Sequence, residues 1–222
     1  MRNRIVVYTA IYGDKDELHE PSFRLMDSDL VCFTDSKHLK SASFDIRVYP
    51  SVDQDPVRSA KVFKVLPHWF FPDYEYSLWV DASVTFKTLD IPALIANYLR
   101  NHDMAFFAHP DRDCVYDEAE ACIAAQCDDA KLIREQMEQY RDEGYPPHNG
   151  LIAGGVIPRK HLSADVIRVD EDWWAEILKF CRRDQLSFNY VAWKNKFAWA
   201  TIDGKLWDNH YFRVTRHKAV TR

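Results

Sequence analysis

The sequence lacks the features of several common protein classes. Its five cysteines are odd in number and irregularly spaced, so they match neither a zinc-ligand pattern nor a disulfide framework. No apolar run approaches the ~20 residues of a membrane-spanning helix. The charged start Met1-Arg2-Asn3-Arg4 runs directly into a short apolar segment, without the apolar region of a signal peptide. We therefore expect a cytoplasmic protein with reduced cysteines.

Basic residues are not in excess, and glycine is scarce. The 29 Lys and Arg against 34 Asp and Glu give a net charge of -5, which argues against a nucleic-acid partner. The 6 glycines form no G-x-G-x-x-G after the first predicted strand, so a dinucleotide fold is not expected. With 222 residues, of which 47% are hydrophobic, and no linker or repeat, the chain is predicted to form one domain over residues 1–222.

The segment Tyr76-Ser77-Leu78-Trp79-Val80-Asp81-Ala82-Ser83 carries the clearest functional signal. Its apolar and aromatic residues favour a buried strand, and Pro72-Asp73 signals a turn before it. A carboxylate at the end of a buried strand is costly unless a metal, a base or a ligand meets it. Because ligands bind at the carboxyl ends of strands in open α/β sheets, Asp81 is predicted to point into a site. The alternative is that Asp81 only caps the following turn.

Three more strands are predicted before this segment. Residues 5–11 are a β-branched run typical of a buried parallel strand, and the turn Tyr12-Gly13-Asp14 follows it. Residues 30–35 and 44–49 are the other two, the last with alternating apolar and polar residues. In a parallel sheet, Tyr12 would lie at the same edge as Asp81, where its ring suits stacking on a nucleobase. The alternative is an ordinary turn.

A basic helix is predicted between these strands and Asp81. Asp55 is the expected N-cap and Pro56 the first helical residue. Arg58 and Lys61 are three residues apart, so they share a face of this helix. Two cations directly before the Asp81 strand have the charge to hold a diphosphate, although a solvated basic face is the commoner arrangement.

The middle of the chain predicts a helix over residues 91–98, a buried strand over 104–108 and two helices within 117–143. The loop after the buried strand contains His109 and Arg112 beside several acids. Polar density of this kind is typical of a functional loop, although a lone histidine in such a loop is more often structural.

Paired glycines and an acidic helix start mark the last third of the chain. Gly154-Gly155 lie in a predicted apolar strand. Because glycine has no side chain, the backbone there can come close to a ligand, so this strand is expected to line a sugar pocket. Asp172 is predicted to cap a helix that carries Trp173. Asp184-Gln185 are predicted in the first turn of a further helix, where the helix dipole favours a carboxylate.

The order of these motifs resembles a known family. It is similar to a glycosyltransferase-like family long catalogued as a domain of unknown function, with plant members tied to mucilage and cell-wall polysaccharide and many bacterial members. The resemblance covers nearly the whole chain, and the order carries it rather than any single motif. The motifs are Tyr12-Gly13, the Arg58/Lys61 helix, Leu78-Trp79-Val80-Asp81, the His109/Arg112 loop, residues 150–155, Arg183-Asp184-Gln185 and His217-Lys218.

The resemblance implies a GT-A fold, an α/β architecture with a mixed, mostly parallel sheet flanked by helices that binds a nucleotide sugar at its strand ends. Asp81 matches the first Asp of the family's Asp-x-Asp metal motif, and Ser83 departs from the second, which puts metal dependence in doubt. The implied ligands of Mn²⁺ or Mg²⁺ are Asp81, His217 and His210, and the implied catalytic residues are Asp184 and Gln185. The implied donor contacts are Thr9, Ala10, Tyr12, Arg58, Lys61, Asp81, Ser83, His109, Arg112, Gly154 and Gly155.

The implied reaction moves a sugar from a nucleotide-sugar donor to a glycan, a lipid or a small acceptor. A divalent ion would stabilise the departing diphosphate as a Lewis acid, and Arg58 and Lys61 would add hydrogen bonds to it. Asp184 is expected to be the base if the reaction inverts, and Asp184 or Gln185 to face the sugar if it retains. Since many acceptors are lipid-linked, peripheral association with a membrane stays open.

Two other functions are compatible with the sequence. One is a metal-dependent hydrolase that uses Asp81 and the histidines on an ester, amide or glycosidic bond. The other is a non-catalytic module that binds a nucleotide or a carbohydrate. Turnover without any nucleotide favours the hydrolase, and tight nucleotide binding without turnover favours the module.

Overall fold

The computed structural model describes residues 4–215. Its central sheet has five strands in the order β3-β2-β1-β4-β8. Their bounds are β1 (Ile5–Ile11), β2 (Ser28–Thr34), β3 (Asp45–Val48), β4 (Tyr76–Val80) and β8 (Val156–Arg159). The first four are mutually parallel, and β8 pairs antiparallel with β4 at the edge. The predicted α/β class with a mixed, mostly parallel sheet is confirmed.

Two smaller sheets extend this core. Strands β5 (Val84–Phe86) and β10 (Phe212–Val214) form an antiparallel pair, and β7 (Ile152–Ala153), β6 (Ala105–Ala108) and β9 (Ala200–Ile202) form a three-stranded sheet. A bridge between Met104 and Arg159 joins the second of these to β8.

Six α-helices pack around the sheets in the described part of the chain. They are α1 (Pro56–Val65), α2 (Ile91–Tyr98), α3 (Val115–Ala124), α4 (Ala130–Asp142), α5 (Ala164–Lys179) and α6 (Phe188–Lys194). Two one-turn 3₁₀-helices, Pro67–Trp69 and Asp184–Leu186, follow α1 and precede α6.

The sheet is buried on both faces. All seven residues of β1 are buried, and they alternate between two apolar clusters, with Val6 and Tyr8 in one and Ile5 and Val7 in the other. This alternation follows from the two-residue period of a strand. A strand enclosed on both sides has no polar face, which explains its continuous apolar sequence.

The N-terminus of α1 forms as its sequence predicts. The Asp55 carboxylate accepts a hydrogen bond from the Val57 amide at 2.9 Å, and Pro56 occupies the first turn. Because proline has no amide hydrogen to satisfy, this position costs nothing in hydrogen bonding. The helix therefore starts at a fixed point, directly after the edge of the sheet at which β1 ends.

Two of the helix predictions are wrong. Asp172 lies inside α5, which begins at Ala164 after Ser163, so it caps nothing. Asp184 lies in the 3₁₀-turn Asp184–Leu186 and not in the first turn of α6. A short polar residue within a long helix mimics a cap when only the residues that follow it are considered.

Candidate functional site

Asp81 lies where β4 ends, at the carboxyl edge of the parallel strands. Its backbone amide donates to the Gly155 carbonyl at 2.8 Å, and the indole Nε1 of Trp79 donates to its Oδ1 at 2.7 Å. The side chain is 42% exposed, and its Oδ2 has no hydrogen-bond partner among residues 4–215. Contacts within the protein therefore hold one carboxylate oxygen, and the side chain remains partly open to solvent.

A buried cluster of charges adjoins Asp81. The Lys64 ammonium lies 3.3 Å from Asp81 Oδ1 and 2.5 Å from Asp184 Oδ2. Lys61 Nζ lies 2.8 Å from the other Asp184 oxygen. Two lysines from adjacent turns of α1 thus share one carboxylate from the 3₁₀-turn before α6. The cluster joins three separate parts of the chain at one point.

These ion pairs decide the charge of the buried groups. Burial acts to lower the pKa of Lys64, but the carboxylates of Asp184 and Asp81 outweigh it and raise that pKa above its usual value. Burial acts to raise the pKa of Asp184, but Lys61 and Lys64 hold it far below its usual range. Lys64 and Asp184 are therefore both charged at neutral pH. Burial lowers the pKa of Lys61, and the attraction of Asp184 only partly offsets this.

Gly154 and Gly155 let the backbone pass directly beside these charges. A Cβ on Gly154 would lie 3.3 Å from Asp184 Oδ2 and 3.4 Å from Lys64 Nζ. A Cβ on Gly155 would lie 2.6 Å from Leu206 Cδ2, closer than any side chain tolerates, and 3.4 Å from Asp81 Oδ2. The two glycines lie in the turn between β7 and β8, not within a strand as predicted, and their missing side chains allow this turn to pass close to Asp184, Lys64 and Asp81.

A cleft of about 170 Å³ opens beside Asp81. Its walls come from the ends of β1 and β4, the first turns of α1, and the loop that contains Lys15 and Asp16. The predicted site residues that line it are Ala10, Tyr12, Lys61, Asp81 and Ser83. The topology brings them together because parallel β1 and β4 are neighbours and both end at this edge.

Tyr12 lines the cleft, but its ring is not exposed for stacking on a ligand. Its side chain is only 2% exposed, its ring stacks on Phe63 with centroids 5.6 Å apart, and its hydroxyl donates to the Tyr49 carbonyl at 3.2 Å. The predicted platform for a nucleobase is therefore already packed against the core.

Arg58 and Thr9, two of the predicted donor contacts, do not line the cleft. Arg58 Nη2 donates to the Phe180 carbonyl at 3.0 Å, at the end of α5. Thr9 is 1% exposed within β1. Residues three apart on an α-helix differ by about 60° in direction, which is enough to send Lys61 into the cleft and Arg58 away from it. In this structure only Lys61 lines the cleft, whereas Arg58 bonds the backbone at the end of α5.

His109 and Arg112 belong to a second polar cluster, centred on the buried Glu118. Arg112 Nε donates to Glu118 Oε2 at 2.6 Å, and His109 Nε2 lies 3.6 Å from the same oxygen. Arg183 reaches the other Glu118 oxygen at 4.0 Å and donates to Gln185 Oε1 at 2.7 Å. His109 and Arg112 are therefore connected to Gln185 only through Glu118 and Arg183, and they do not line the cleft.

Sequence reasoning missed the two residues at the centres of these clusters, Lys64 and Glu118. Lys64 is 2% and Glu118 3% exposed. A signal was available for Lys64, because Lys61 and Lys64 have the same three-residue spacing as Arg58 and Lys61. It was hidden because Lys64 stands between Phe63 and Val65, in the apolar stripe of α1. Glu118 had no comparable signal.

The three predicted metal ligands differ in their position relative to the cleft. Asp81 faces the cleft, and its carboxylate suits Mg²⁺ or Mn²⁺. His210 does not line the cleft, and its exposed ring packs against Tyr211 with centroids 5.2 Å apart. His217 lies outside the described residues. The described chain nevertheless ends beside the site, since the Thr215 amide donates to the Ser83 carbonyl at 2.7 Å.

A different trio has the chemistry of metal ligands. One ligand atom each from Cys114, Asp117 and His148 lie within 4.8 Å of one another. His148 Nδ1 also lies 2.8 Å from Asp113 Oδ1. None of these residues lines the Asp81 cleft.

Comparison with known proteins places this chain in a family. The profile of the TOD1/MUCI70 glycosyltransferase-like domain matches residues 45–221. The chain belongs to the TOD1/MUCI70 family. The probable hexosyltransferase MUCI70 of Arabidopsis thaliana is 33% identical in an alignment 215 positions long, and the match covers 84% of this chain and 37% of that protein. The alkaline ceramidase TOD1 of Arabidopsis thaliana is 28% identical in an alignment 223 positions long, and the match covers 84% of this chain and 48% of that protein.

The resemblance found in the sequence is thus confirmed. The chain spans less than half the length of each of these two relatives. Among solved structures, mouse xyloside xylosyltransferase 1 aligns with a TM-score of 0.48 and 13% identity, covering 90% of this chain and 84% of that one. The bifunctional glycosyltransferase WbbM aligns with a TM-score of 0.44 and 11% identity, covering 89% and 38%. Within residues 4–215, no helix combines the length and apolar character required to cross a membrane.

Proposed function

We propose that the chain transfers a sugar from a nucleoside-diphosphate donor, and that the diphosphate binds in the Asp81 cleft. The observation that carries the proposal is the pairing of opposite charges at one strand end. Asp81 offers a free oxygen, and Lys61 lines the same cleft with its side chain 17% exposed. Cationic side chains bind a diphosphate through charge-assisted hydrogen bonds. A carboxylate beside them at a strand end is costly unless a metal ion or a ligand meets it.

The size of the cleft supports this assignment. Its volume of about 170 Å³ is small beside the 300–1,000 Å³ typical of pockets that enclose a whole ligand. It suits the diphosphate, with the base and the sugar extending along the surface on either side. The two lysines are held in place before the donor arrives, which limits the reorganisation needed when negative charge develops on the leaving group.

A divalent cation fits the residues that line the cleft. Mg²⁺ is commonly bound through one or two carboxylates, substrate phosphates and several waters, so Asp81 suffices as the protein anchor even with Ser83 in place of a second Asp. When bound, such an ion supplies Lewis-acid stabilisation of the leaving diphosphate. His217, which lies outside the described residues, is our candidate for a further ligand because the family resemblance implies a C-terminal histidine in this role.

Asp184 has a different role in our proposal from the one expected of a catalytic base. Its two oxygens are engaged by Lys61 and Lys64, and its pKa is held far below its usual range. A carboxylate so acidic accepts a proton poorly. We assign it the positioning of the two lysines. Gln185 is fixed by its bonds to the Ile152 carbonyl, at 3.1 Å, and to Arg183, and in our proposal it faces the transferred sugar.

The first experiment is a thermal-shift screen of uridine, guanosine and cytidine diphosphates with and without MnCl₂. A ligand present at a hundred times its dissociation constant adds about 2.7 kcal/mol to the stability. We expect a manganese-dependent shift with one of the three, which is lost in Asp81→Ala and kept in Asp142→Ala, an exposed carboxylate at the end of α4. Absence of a shift with every nucleotide, with and without metal, overturns the proposal.

A hydrolase is the second candidate, because one family member is named an alkaline ceramidase. The same residues would then bind a different substrate. Release of fatty acid from ceramide in the absence of any nucleotide, abolished by Asp81→Ala, would favour it. Nucleotide binding without turnover of any nucleotide sugar would instead indicate a non-catalytic module.

The cysteines bear on the location that we propose. Each of Cys32, Cys114, Cys122, Cys127 and Cys181 is a free thiol. Free thiols are typical of compartments kept reducing, so we assign the protein to the cytoplasm.

The proposed acceptor is a glycan, a lipid-linked sugar or a small molecule.

A further inference from the structure

We propose that a second cleft, between Trp193 and Trp199, binds the saccharide acceptor. The proposal rests on the proposed glycosyl transfer and names the chemical class of its acceptor. Nothing in the family comparison assigns this cleft a role.

The cleft has the size and the lining of a carbohydrate site. It encloses about 690 Å³, which is within the range of small-molecule sites. The residues that line it include Asn149, Asn189, Trp193, Lys196, Phe197 and Trp199. Aromatic faces cover the apolar C–H faces of a pyranose, and amide and ammonium groups at the edges are donors for its hydroxyls.

One buried polar atom in this lining lacks a partner. Asn189 is 1% exposed, and its Oδ1 accepts a hydrogen bond from the Ile152 amide at 3.1 Å. Its Nδ2 has no hydrogen-bond partner among residues 4–215. A buried donor left unsatisfied costs about 1–3 kcal/mol. A ligand hydroxyl in the cleft would remove this cost.

The groups at the mouth of the cleft add to this pattern. The Trp193 side chain is 37% exposed although its ring packs edge-on against Tyr145, with centroids 5.4 Å apart. Lys196 is exposed and makes no ion pair within the described chain, whereas Lys194 pairs with Glu143 at 2.8 Å. The mouth thus offers one open aromatic ring and one ammonium group not engaged by an acid.

The cleft adjoins the proposed donor site through a shared segment. The Ile152 amide donates a hydrogen bond to Asn189 Oδ1 in the lining of this cleft, and the Ile152 carbonyl accepts one from Gln185 Nε2. Two residues further on, Gly154 passes within contact distance of Asp184. The segment over residues 152–154 therefore links this cleft to the Asp184 carboxylate, which binds the two lysines beside the donor cleft. In our proposal the Asp81 cleft is occupied by the diphosphate of the donor, so the acceptor needs a separate site.

The test measures binding of neutral hexasaccharides of xylose, glucose, mannose and galactose, biotinylated and immobilised for biolayer interferometry. The full chain is compared with Trp193→Ala, Trp193→Phe and Lys196→Asn. Asn tolerates the left-handed backbone of Lys196, whose φ is 51°. Trp69→Ala is the matched control, because Trp69 is 57% exposed and does not line this cleft. The nucleoside-diphosphate thermal shift is recorded for every variant.

We expect at least one hexasaccharide to bind, with affinity lowered about tenfold by Trp193→Ala and several-fold by Lys196→Asn. Trp193→Phe keeps an aromatic face and should stay close to the wild type, as should Trp69→Ala. The nucleotide shift should be the same in all of them. Binding of no hexasaccharide, or binding indifferent to Trp193→Ala, overturns the assignment while leaving an intact nucleotide shift to support the donor site. Saccharide binding that depends on Trp193, without any nucleotide shift, supports this cleft and overturns the proposed transfer.

Discussion

Lys64 and Asp184 form an ion pair inside the protein, with Nζ 2.5 Å from Oδ2 and side chains 2% and 4% exposed. Buried pairs give little net stability, but removing one partner leaves an uncompensated charge in a medium that solvates it poorly. The same two residues also contact the cleft residues, Asp184 through Lys61 and Lys64 through Asp81. The stability of the core and the geometry of the donor site are thus coupled.

Replacing Lys64 should destabilise the fold. Lys64→Met keeps the length of the side chain and removes its charge, leaving Asp184 with Lys61 alone. We expect a loss of about 3 kcal/mol in the free energy of unfolding, measured by urea denaturation. The control is Lys160→Met, because the Lys160–Asp103 pair is about one-third exposed at both side chains and should contribute less than about 1 kcal/mol. Equal losses in the two variants would contradict the role of burial.

Two basic residues on the same helix should differ in their effect on nucleotide binding. Lys61→Ala removes an ammonium from the cleft, and we expect nucleoside-diphosphate affinity to fall about tenfold, since charge-assisted hydrogen bonds contribute about 1.5–3 kcal/mol. Arg58→Ala should leave the affinity unchanged, because its guanidinium bonds the Phe180 carbonyl outside the cleft. Isothermal titration calorimetry of both variants provides the comparison. A larger effect from Arg58→Ala would place the diphosphate elsewhere.

A methyl group at Gly155 should be tolerated only if Leu206 makes room. The Cβ would stand 2.6 Å from Leu206 Cδ2, so Gly155→Ala should cost about 1–3 kcal/mol of stability by overpacking. The double variant Gly155→Ala with Leu206→Ala removes the clashing atom. We expect it to be more stable than the sum of the two single changes predicts, as read from thermal unfolding in a double-mutant cycle. Strict additivity would show that the backbone, and not Leu206, yields.

His161 should make stability depend on pH below neutrality. It is fully buried, its Nε2 bonds the Phe71 carbonyl at 2.8 Å, and burial lowers its pKa to about 4. In the unfolded chain a histidine titrates near ~6.5. Because the folded pKa is the lower one, this stability is fully present above about pH 6.5 and is lost as the pH falls towards about 4.

The measurement is a comparison with His161→Gln, which keeps a donor for Phe71 and does not titrate. Between about pH 6.5 and 4 the wild type should lose about 2 kcal/mol more than the variant, by urea denaturation at each pH. Parallel pH profiles for the two proteins would rule out the titration of His161 as the cause.

Local sequence patterns predicted most of the secondary structure. The run at β1, the strand that delivers Asp81 and the Asp55-Pro56 start of α1 all form as expected, because each depends on neighbours in the chain. The errors at Asp172 and Asp184 have the opposite origin. Both residues have the composition of a helix start, and only packing decided that one is internal to α5 and the other belongs to a 3₁₀-turn.

For the site, the sequence by itself determined which residue types were available and that Asp81 and Tyr12 would lie at one edge. That much follows from parallel strands ending together, whereas the glycine pair reaches this edge through the antiparallel strand β8. Tertiary structure alone decided the charge pairing: Lys64 turns inward to Asp184, Arg58 turns to α5, and Glu118 collects Arg112. The physical reason is that a side chain's partner depends on which surface is packed against it, and burial makes an unpaired charge too costly to keep. Spacing along one helix specifies a face but not what covers it.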